Sequence, residues 1–158
     1  MIARKNGPVR VLILCTGNSA RSQMAEGLLR YIGGNQVEAA SAGIDPSFVR
    51  PAAIKVMSEI GIDISHHRSK SVDEFEDKAF DYVITVCDNA NERCPIFPGS
   101  TRRVHWSLED PAAVNGDEEE ILSAFRKVRD ELNERLTQFM KELNGNGAQS
   151  EPSAVAGG

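Results

Sequence analysis

Residues Val9 to Leu14 (VRVLIL) are apolar at every position but Arg10, the pattern of a short strand buried on both faces. A polar turn, Thr16-Gly17-Asn18-Ser19, follows it. Met24, Ala25, Leu28, Leu29 and Ile32 then recur at helical spacing, and Gly33-Gly34 closes that helix. Gln36 to Ser41 reads as a second, weaker strand ended by Gly43. Pro51 suits the first turn of a helix carrying Ile54, Met57 and Ile60, which Gly61 stops. Ile62 to Asp77 is polar and irregular, with a helical turn near Asp73 to Glu76. Asp81 to Val86 (DYVITV) is the third strand, Cys87 to Pro98 a loop or broken helix, and Arg103 to Trp106 a short fourth strand. Asp117 and Glu120 carry a capping-box signature ahead of a long last helix. Its apolar stripe is Ile121, Leu122, Phe125, Val128, Leu132, Leu136, Phe139, Met140 and Leu143, with Lys127–Glu131 and Glu131–Arg135 spaced as i,i+4 pairs.

Strand alternating with helix predicts an α/β fold: a four-stranded parallel sheet with right-handed crossovers and helices on both faces. The flavodoxin-like order 2-1-3-4 puts strands one and three side by side, and such folds bind ligands at the carboxyl ends of their strands. Cys15 closes strand one and Cys87 closes strand three, so both fall on that edge. The organisation expected is a short extension over 1–8, one catalytic domain over 9–143 and a disordered tail over 144–158. The tail lacks aromatic and long aliphatic residues, so nothing in it repays the entropy of ordering.

Composition narrows the function. With 18 Lys and Arg against 23 Asp and Glu, the net charge is −5, which argues against a nucleic-acid partner. No apolar stretch is long enough for a signal peptide or a membrane span, so the expected location is the cytoplasm. Thiols stay reduced there. The three cysteines are an odd number, which argues against a disulfide framework. Each is core filler, metal ligand or reactive thiol.

The segment Cys15-Thr16-Gly17-Asn18-Ser19-Ala20-Arg21-Ser22 joins a strand to a helix, with five residues between cysteine and arginine. A loop of that length curls so that its backbone N–H groups point inward, and the helix adds its positive end. Together they make a cradle for a tetrahedral oxyanion. Arg21 supplies a bidentate fork. The field that attracts an anion also stabilises a thiolate at Cys15, and Ser22 is placed to donate to the sulfur. The competing reading is a buried strand-end cysteine and an exposed helical arginine. Cys87 and Cys94 have six residues between them, too wide for a CxxC zinc knuckle. Inert core thiols and an exchanging pair both remain open on spacing alone. Asp110-Pro111 follows strand four and is either a turn or a carboxyl placed to protonate an oxygen leaving the cradle. His66, His67 and His105 read as structural or surface residues, and Trp106 as strand-end packing.

CTGNSARSQMAEG, from Cys15 to Gly27, resembles the signature loop of the low-molecular-weight protein tyrosine phosphatase superfamily. More narrowly, the chain resembles the thioredoxin-coupled arsenate reductases of that fold. SAGI at Ser41–Ile44, GIDIS at Gly61–Ser65, TVCD at Thr85–Asp88, NERCPIFP at Asn91–Pro98 and HWSLEDPA at His105–Ala112 carry the likeness in order. The resemblance implies a loop from Thr16 to Ser22 that binds arsenate, with phosphate or sulfate competing. It implies that Cys15 attacks arsenate, that Cys87 attacks Cys15 and releases arsenite, and that Cys94 then attacks Cys87. Asp110 is implied as the general acid. No tightly bound cofactor is implied; the reductant is an external thiol, thioredoxin. Nothing in the chain demands more than a monomer.

The alternatives are a phosphatase, which needs Cys15, Arg21 and Asp110 alone, and a non-catalytic redox or metal sensor. The phosphatase branch follows Asp-Pro with an aromatic wall, where this chain has Ala112 and Ala113. Ala20 stands where many members carry a cysteine. Some reductases of this type hold potassium with an asparagine, a glutamate, a serine and an aspartate. Asn18, Glu26 and Ser41 match the first three, and Lys70 takes the aspartate's place. The resemblance therefore implies either an ammonium where the ion would sit or an empty site.

Overall fold

A computed structural model describes residues 7–148. Strand β1 (Val9–Cys15) leads through the turn into helix α1 (Arg21–Gly33), and β2 (Val37–Gly43) precedes α2 (Pro51–Ser58). Strand β3 (Tyr82–Thr85), helix α3 (Asp88–Glu92), β4 (Arg102–His105) and helix α4 (Glu118–Ala148) complete the order. The strands are all parallel and lie in the order β2-β1-β3-β4. This is the doubly wound sheet expected of the hydrophobic pattern.

Val11, Leu12, Ile13 and Leu14 of β1 are all fully buried. Successive strand residues point to opposite sides, so both faces of the sheet are covered. Tyr82, in register with Val11, packs edge-on against Phe139 of α4, with ring centroids 5.1 Å apart. On the other face the Arg10 guanidinium lies over Phe80, which packs against Phe75 and Phe97. Trp106 packs beneath Arg135 of α4, as strand-end packing predicts.

Gly34, at φ +53°, caps α1 in the left-handed region that favours glycine. The capping box of α4 forms in both directions: Asp117 N–H donates to Glu120 Oε1, and Glu120 N–H donates to Asp117 Oδ1, each at 2.9 Å. Of the two i,i+4 pairs, Arg135 bridges Glu131 at 3.1 Å. Helix α4 runs to Ala148, past Leu143 where the apolar stripe stops. Its main-chain ladder needs no apolar side chain to continue a turn further. The tail expected over 144–158 thus begins as helix, and residues 149–158, like 1–6, lie outside the described residues. No helix among the described residues is long and apolar enough to cross a membrane.

Candidate active site

The carboxyl end of β1 delivers Cys15 to the floor of a cavity of about 200 Å³. Thr16, Gly17, Ser19, Ala20, Arg21, Ser47, Arg50, Asp110 and Ala112 share its lining. The register Leu14↔Thr85 brings the segment after β3, with Cys87, to the same edge.

The turn Thr16–Ala20 is held from behind. Ile44, Asp45, Ser47 and Arg50 donate backbone N–H groups to the carbonyls of Cys15, Thr16, Gly17 and Ser19. With those carbonyls turned outward, the N–H groups of the turn are left to face inward. Gly43 makes this possible, because a Cβ there would come within 2.7 Å of the Thr16 carbonyl and 2.9 Å of the Asn18 nitrogen. Asn18 is the one non-glycine residue at positive φ (+47°) among those described. Asparagine tolerates that region better than most residues.

The protons behind Cys15 follow from donors that have no choice. The Lys70 N–H donates to Asn18 Oδ1 at 2.8 Å, so the oxygen of that amide is fixed. Asn18 Nδ2 then donates to Ser22 Oγ (2.8 Å) and Ser41 Oγ (3.0 Å). The Ser22 proton is left for Cys15 Sγ at 3.0 Å, and the Ser41 proton for Glu26 Oε1 at 2.6 Å. The Asn18 N–H also donates to Cys15 Sγ, at 3.3 Å. Asn18 is fully buried, and Cys15 nearly so. Gln23 extends the network. Its Nε2 donates to Asn18 O and Oδ1 and to Arg68 O, so its Oε1 accepts the Nδ1 proton of His67 at 2.9 Å. Burial holds His67 below the ordinary imidazole range, with Glu26 pulling the other way.

Arg21 opens α1 and reaches across the cavity. Its Nη1 donates to Leu108 O at 3.0 Å, and its Nη2 lies 3.8 Å from Asp110 Oδ2. Asp110 Oδ1 accepts the Ala112 N–H at 3.0 Å. Asp110 makes its turn and lines the cavity as well, so the two readings of Asp-Pro are compatible. Ala112 leaves the wall beside it without a ring.

Cys87 precedes α3, and its Sγ lies 3.3 Å from Thr16 Oγ1. Asn89 Nδ2 donates to that hydroxyl at 3.0 Å, leaving the Thr16 proton free to point at the sulfur. Cys94 lies two residues beyond α3 and is half-buried, and burial pushes its thiol up against an opposing pull from Arg103. All three cysteines are unpaired.

Lys70 places its Nζ 3.9 Å from Glu26 Oε1, with only 13% of the side chain exposed, and Arg30 holds the other oxygen, Oε2, at 2.6 Å. Burial lowers the Lys70 ammonium from its usual range, and Glu26 opposes that shift. The group does not fit potassium. Asn18 Oδ1 is taken by two N–H donors, its Nδ2 faces Ser41, and both Glu26 oxygens are engaged. Among the described residues no three His, Cys, Asp or Glu side chains converge as a metal requires. His66 and His67 meet edge to face, with centroids 4.9 Å apart. They do not point to opposite sides, as adjacent positions in an extended loop would.

Sequence reasoning missed Gln23 and Arg50. Gln23 reads as an ordinary helical position, and only the fold shows the carbonyls that surround it. Arg50 stands directly before the Pro51 helix start, a position near the carboxyl edge, but no spacing rule ties it to Cys15.

A family model described as low molecular weight phosphotyrosine protein phosphatase matches residues 10–149. An arsenate reductase from Halalkalibacterium halodurans is 45% identical over 129 residues, covering 82% of this chain and 93% of the relative. A solved arsenate reductase in the oxidised state is 33% identical with TM-score 0.73, covering 84% of this chain and 97% of that one. A thioredoxin-dependent arsenate reductase from Corynebacterium glutamicum is 31% identical with TM-score 0.67, covering 88% of this chain and 64% of that one. The family match takes in all of the sheet but Val9, the Cys15 loop and all of α4, so this chain belongs to the low molecular weight phosphotyrosine protein phosphatase family.

Proposed function

We propose that this chain is an arsenate reductase, converting arsenate to arsenite through a relay of Cys15, Cys87 and Cys94. One observation carries the choice over a phosphatase. Cys87 Sγ sits against Thr16 of the oxyanion loop, where a phosphatase has no use for a second thiol. The arsenate reductases among the relatives support it.

The Cys15 thiolate attacks arsenic in the cradle of Thr16–Ser22, with Arg21 binding two oxygens, and an oxygen leaves as water with a proton from Asp110. The Cys87 thiolate then attacks Cys15 Sγ. A Cys15–Cys87 disulfide forms, the pair of the S–As bond passes to arsenic, and arsenic(V) leaves as arsenite. Cys94 attacks Cys87, freeing the Cys15 thiolate and leaving a Cys87–Cys94 disulfide for an external dithiol. The Ser22 and Asn18 donors make Cys15 the sulfur best suited to leave. Thioredoxin is the reductant proposed, as its dependence is stated for the Corynebacterium relative. We place the enzyme in the cytoplasm, as a monomer with no tightly bound cofactor.

Arsenate turnover with thioredoxin, thioredoxin reductase and NADPH tests this, compared with glutathione and glutaredoxin and with hydrolysis of an aryl phosphate. Sustained thioredoxin-driven NADPH oxidation is expected. Aryl phosphate hydrolysis without any arsenate turnover would establish the phosphatase instead.

A further inference from the structure

One donor on the cavity wall has no part in the relay. Arg50 lines the cavity beside Cys15, Arg21 and Asp110. Its backbone is pinned at both ends: the N–H donates to Ser19 O at 2.9 Å, and the carbonyl accepts from Ala53 and Ile54 in the first turn of α2. The guanidinium carbon lies 4.9 Å from the centroid of the Phe48 ring. Its Nε is buried and has no hydrogen-bond partner, and no carboxylate among the described residues pairs with it. An N–H closed off in this way reaches no oxygen in the cavity, but the guanidinium keeps a full charge with no counter-ion beside an anion-sized cavity.

The charge balance of the cavity points the same way. Arg21 shares its guanidinium with Leu108 O and the Asp110 carboxyl. A tetrahedral dianion beside that carboxyl gains from a second fixed cation. Arg50 is the other arginine on the lining, and no carboxylate among the described residues neutralises it. Stacking on Phe48 limits the rotation of the guanidinium plane, so little freedom is lost when it takes an oxygen.

We propose that Arg50 is a second substrate-binding arginine, its guanidinium donating to an oxyanion oxygen, and that Phe48 is the residue that positions it. This rests on the reading of the cavity as an arsenate site. The bland alternative is that Arg50 merely stacks on Phe48 and caps α2.

The experiment measures protection of Cys15 from iodoacetamide by arsenate, phosphate and sulfate, in the wild type and in Arg50→Gln, Arg50→Lys and Phe48→Ala. Steady-state arsenate reduction and the oxyanion-induced rise in Tm accompany it. Arg50→Gln is expected to raise the protection midpoint and KM about tenfold to a hundredfold, the value of one charged hydrogen bond. The kcat should stay within about threefold, since the contact exists before and during reaction. Arg50→Lys should fall between, keeping charge without the planar donor, and Phe48→Ala should weaken protection less than Arg50→Gln. The Tm without anion should fall only slightly in Arg50→Gln, because the stacking on Phe48 is lost but no satisfied side-chain hydrogen bond is. Wild-type midpoints in Arg50→Gln and Arg50→Lys, with the wild type protected, would overturn the proposal and leave the oxyanion cavity standing. Absence of protection in the wild type would overturn both. Should Arg50→Gln fail to fold, Arg50→Lys and Phe48→Ala at wild-type midpoints would overturn it equally.

Discussion

Asp110 uses its two carboxyl oxygens differently. Oδ1 is spent on the Ala112 N–H, which fixes the plane of the group, and Oδ2 faces Arg21 across the cavity. With 47% of its side chain exposed, Asp110 is open to solvent. As general acid it is expected to make Asp110→Asn slower in its first chemical step by about 10²–10⁴. Single-turnover formation of the arsenate adduct is the measurement, and an unchanged rate would return Asp110 to turn-making alone. Cys15 is surrounded by a hydroxyl and an amide N–H that both donate to its sulfur. A serine in its place carries a hydroxyl that does not ionise at neutral pH, and hydroxyls are weak nucleophiles without a base. Cys15→Ser should therefore abolish arsenate reduction and any aryl phosphate hydrolysis together. Near-normal turnover by that variant would refute attack by Cys15.

At the scale of elements, α3 lies between Cys87 and Cys94 of the proposed relay. Cys87 precedes its first residue and Cys94 follows its last by two. Asp88–Glu92 between them is wound, so the two cysteines flank opposite ends of that short helix. Closing a Cys87–Cys94 bridge from opposite ends of α3 is expected to unwind it. Five residues make a helix that costs little to open. Burial pushes the Cys94 thiol up against the pull of Arg103. Without Cys94 the relay has no last step. Cys94→Ala is expected to release one arsenite per chain and stop, with a Cys15–Cys87 bridge visible by mass spectrometry of a non-reduced digest. Continuous thioredoxin-driven turnover by Cys94→Ala would refute the three-cysteine relay.

The whole molecule is tied behind the active loop by one buried carboxylate. Glu26 on α1 accepts from Ser41 on β2, pairs with Arg30 one turn along, and lies near the Lys70 ammonium. Two cations already surround it, and Asn18 turns an amide nitrogen rather than an oxygen toward the group. An added monovalent cation has neither free oxygens nor uncompensated charge to bind. Activity and Tm are expected to be equal in potassium and sodium at matched ionic strength. A potassium-specific rise in Tm beyond the sodium control would show that the ion displaces Lys70.

Residue pattern and spacing alone determined the alternation of strands and helices, the strand-to-helix loop at Cys15 and the capping box of α4. Each of these depends on local spacing: period 2 against period 3.6, a cysteine and an arginine at the two ends of one loop, and Asp117 three residues before Glu120. They also put Cys15, Cys87 and Asp110 at one edge of the sheet, because parallel strands share their carboxyl ends. Tertiary structure decided what spacing does not encode. The proton order from Lys70 N–H through Asn18 to Ser22 and Cys15 joins residues as far as 52 apart in the chain. The approach of Lys70 to Glu26 and the unpartnered Arg50 Nε arise the same way, from loops folded back over the signature turn. Those contacts rest on donor and acceptor geometry between distant segments, and only the packed molecule brings such segments within hydrogen-bond range.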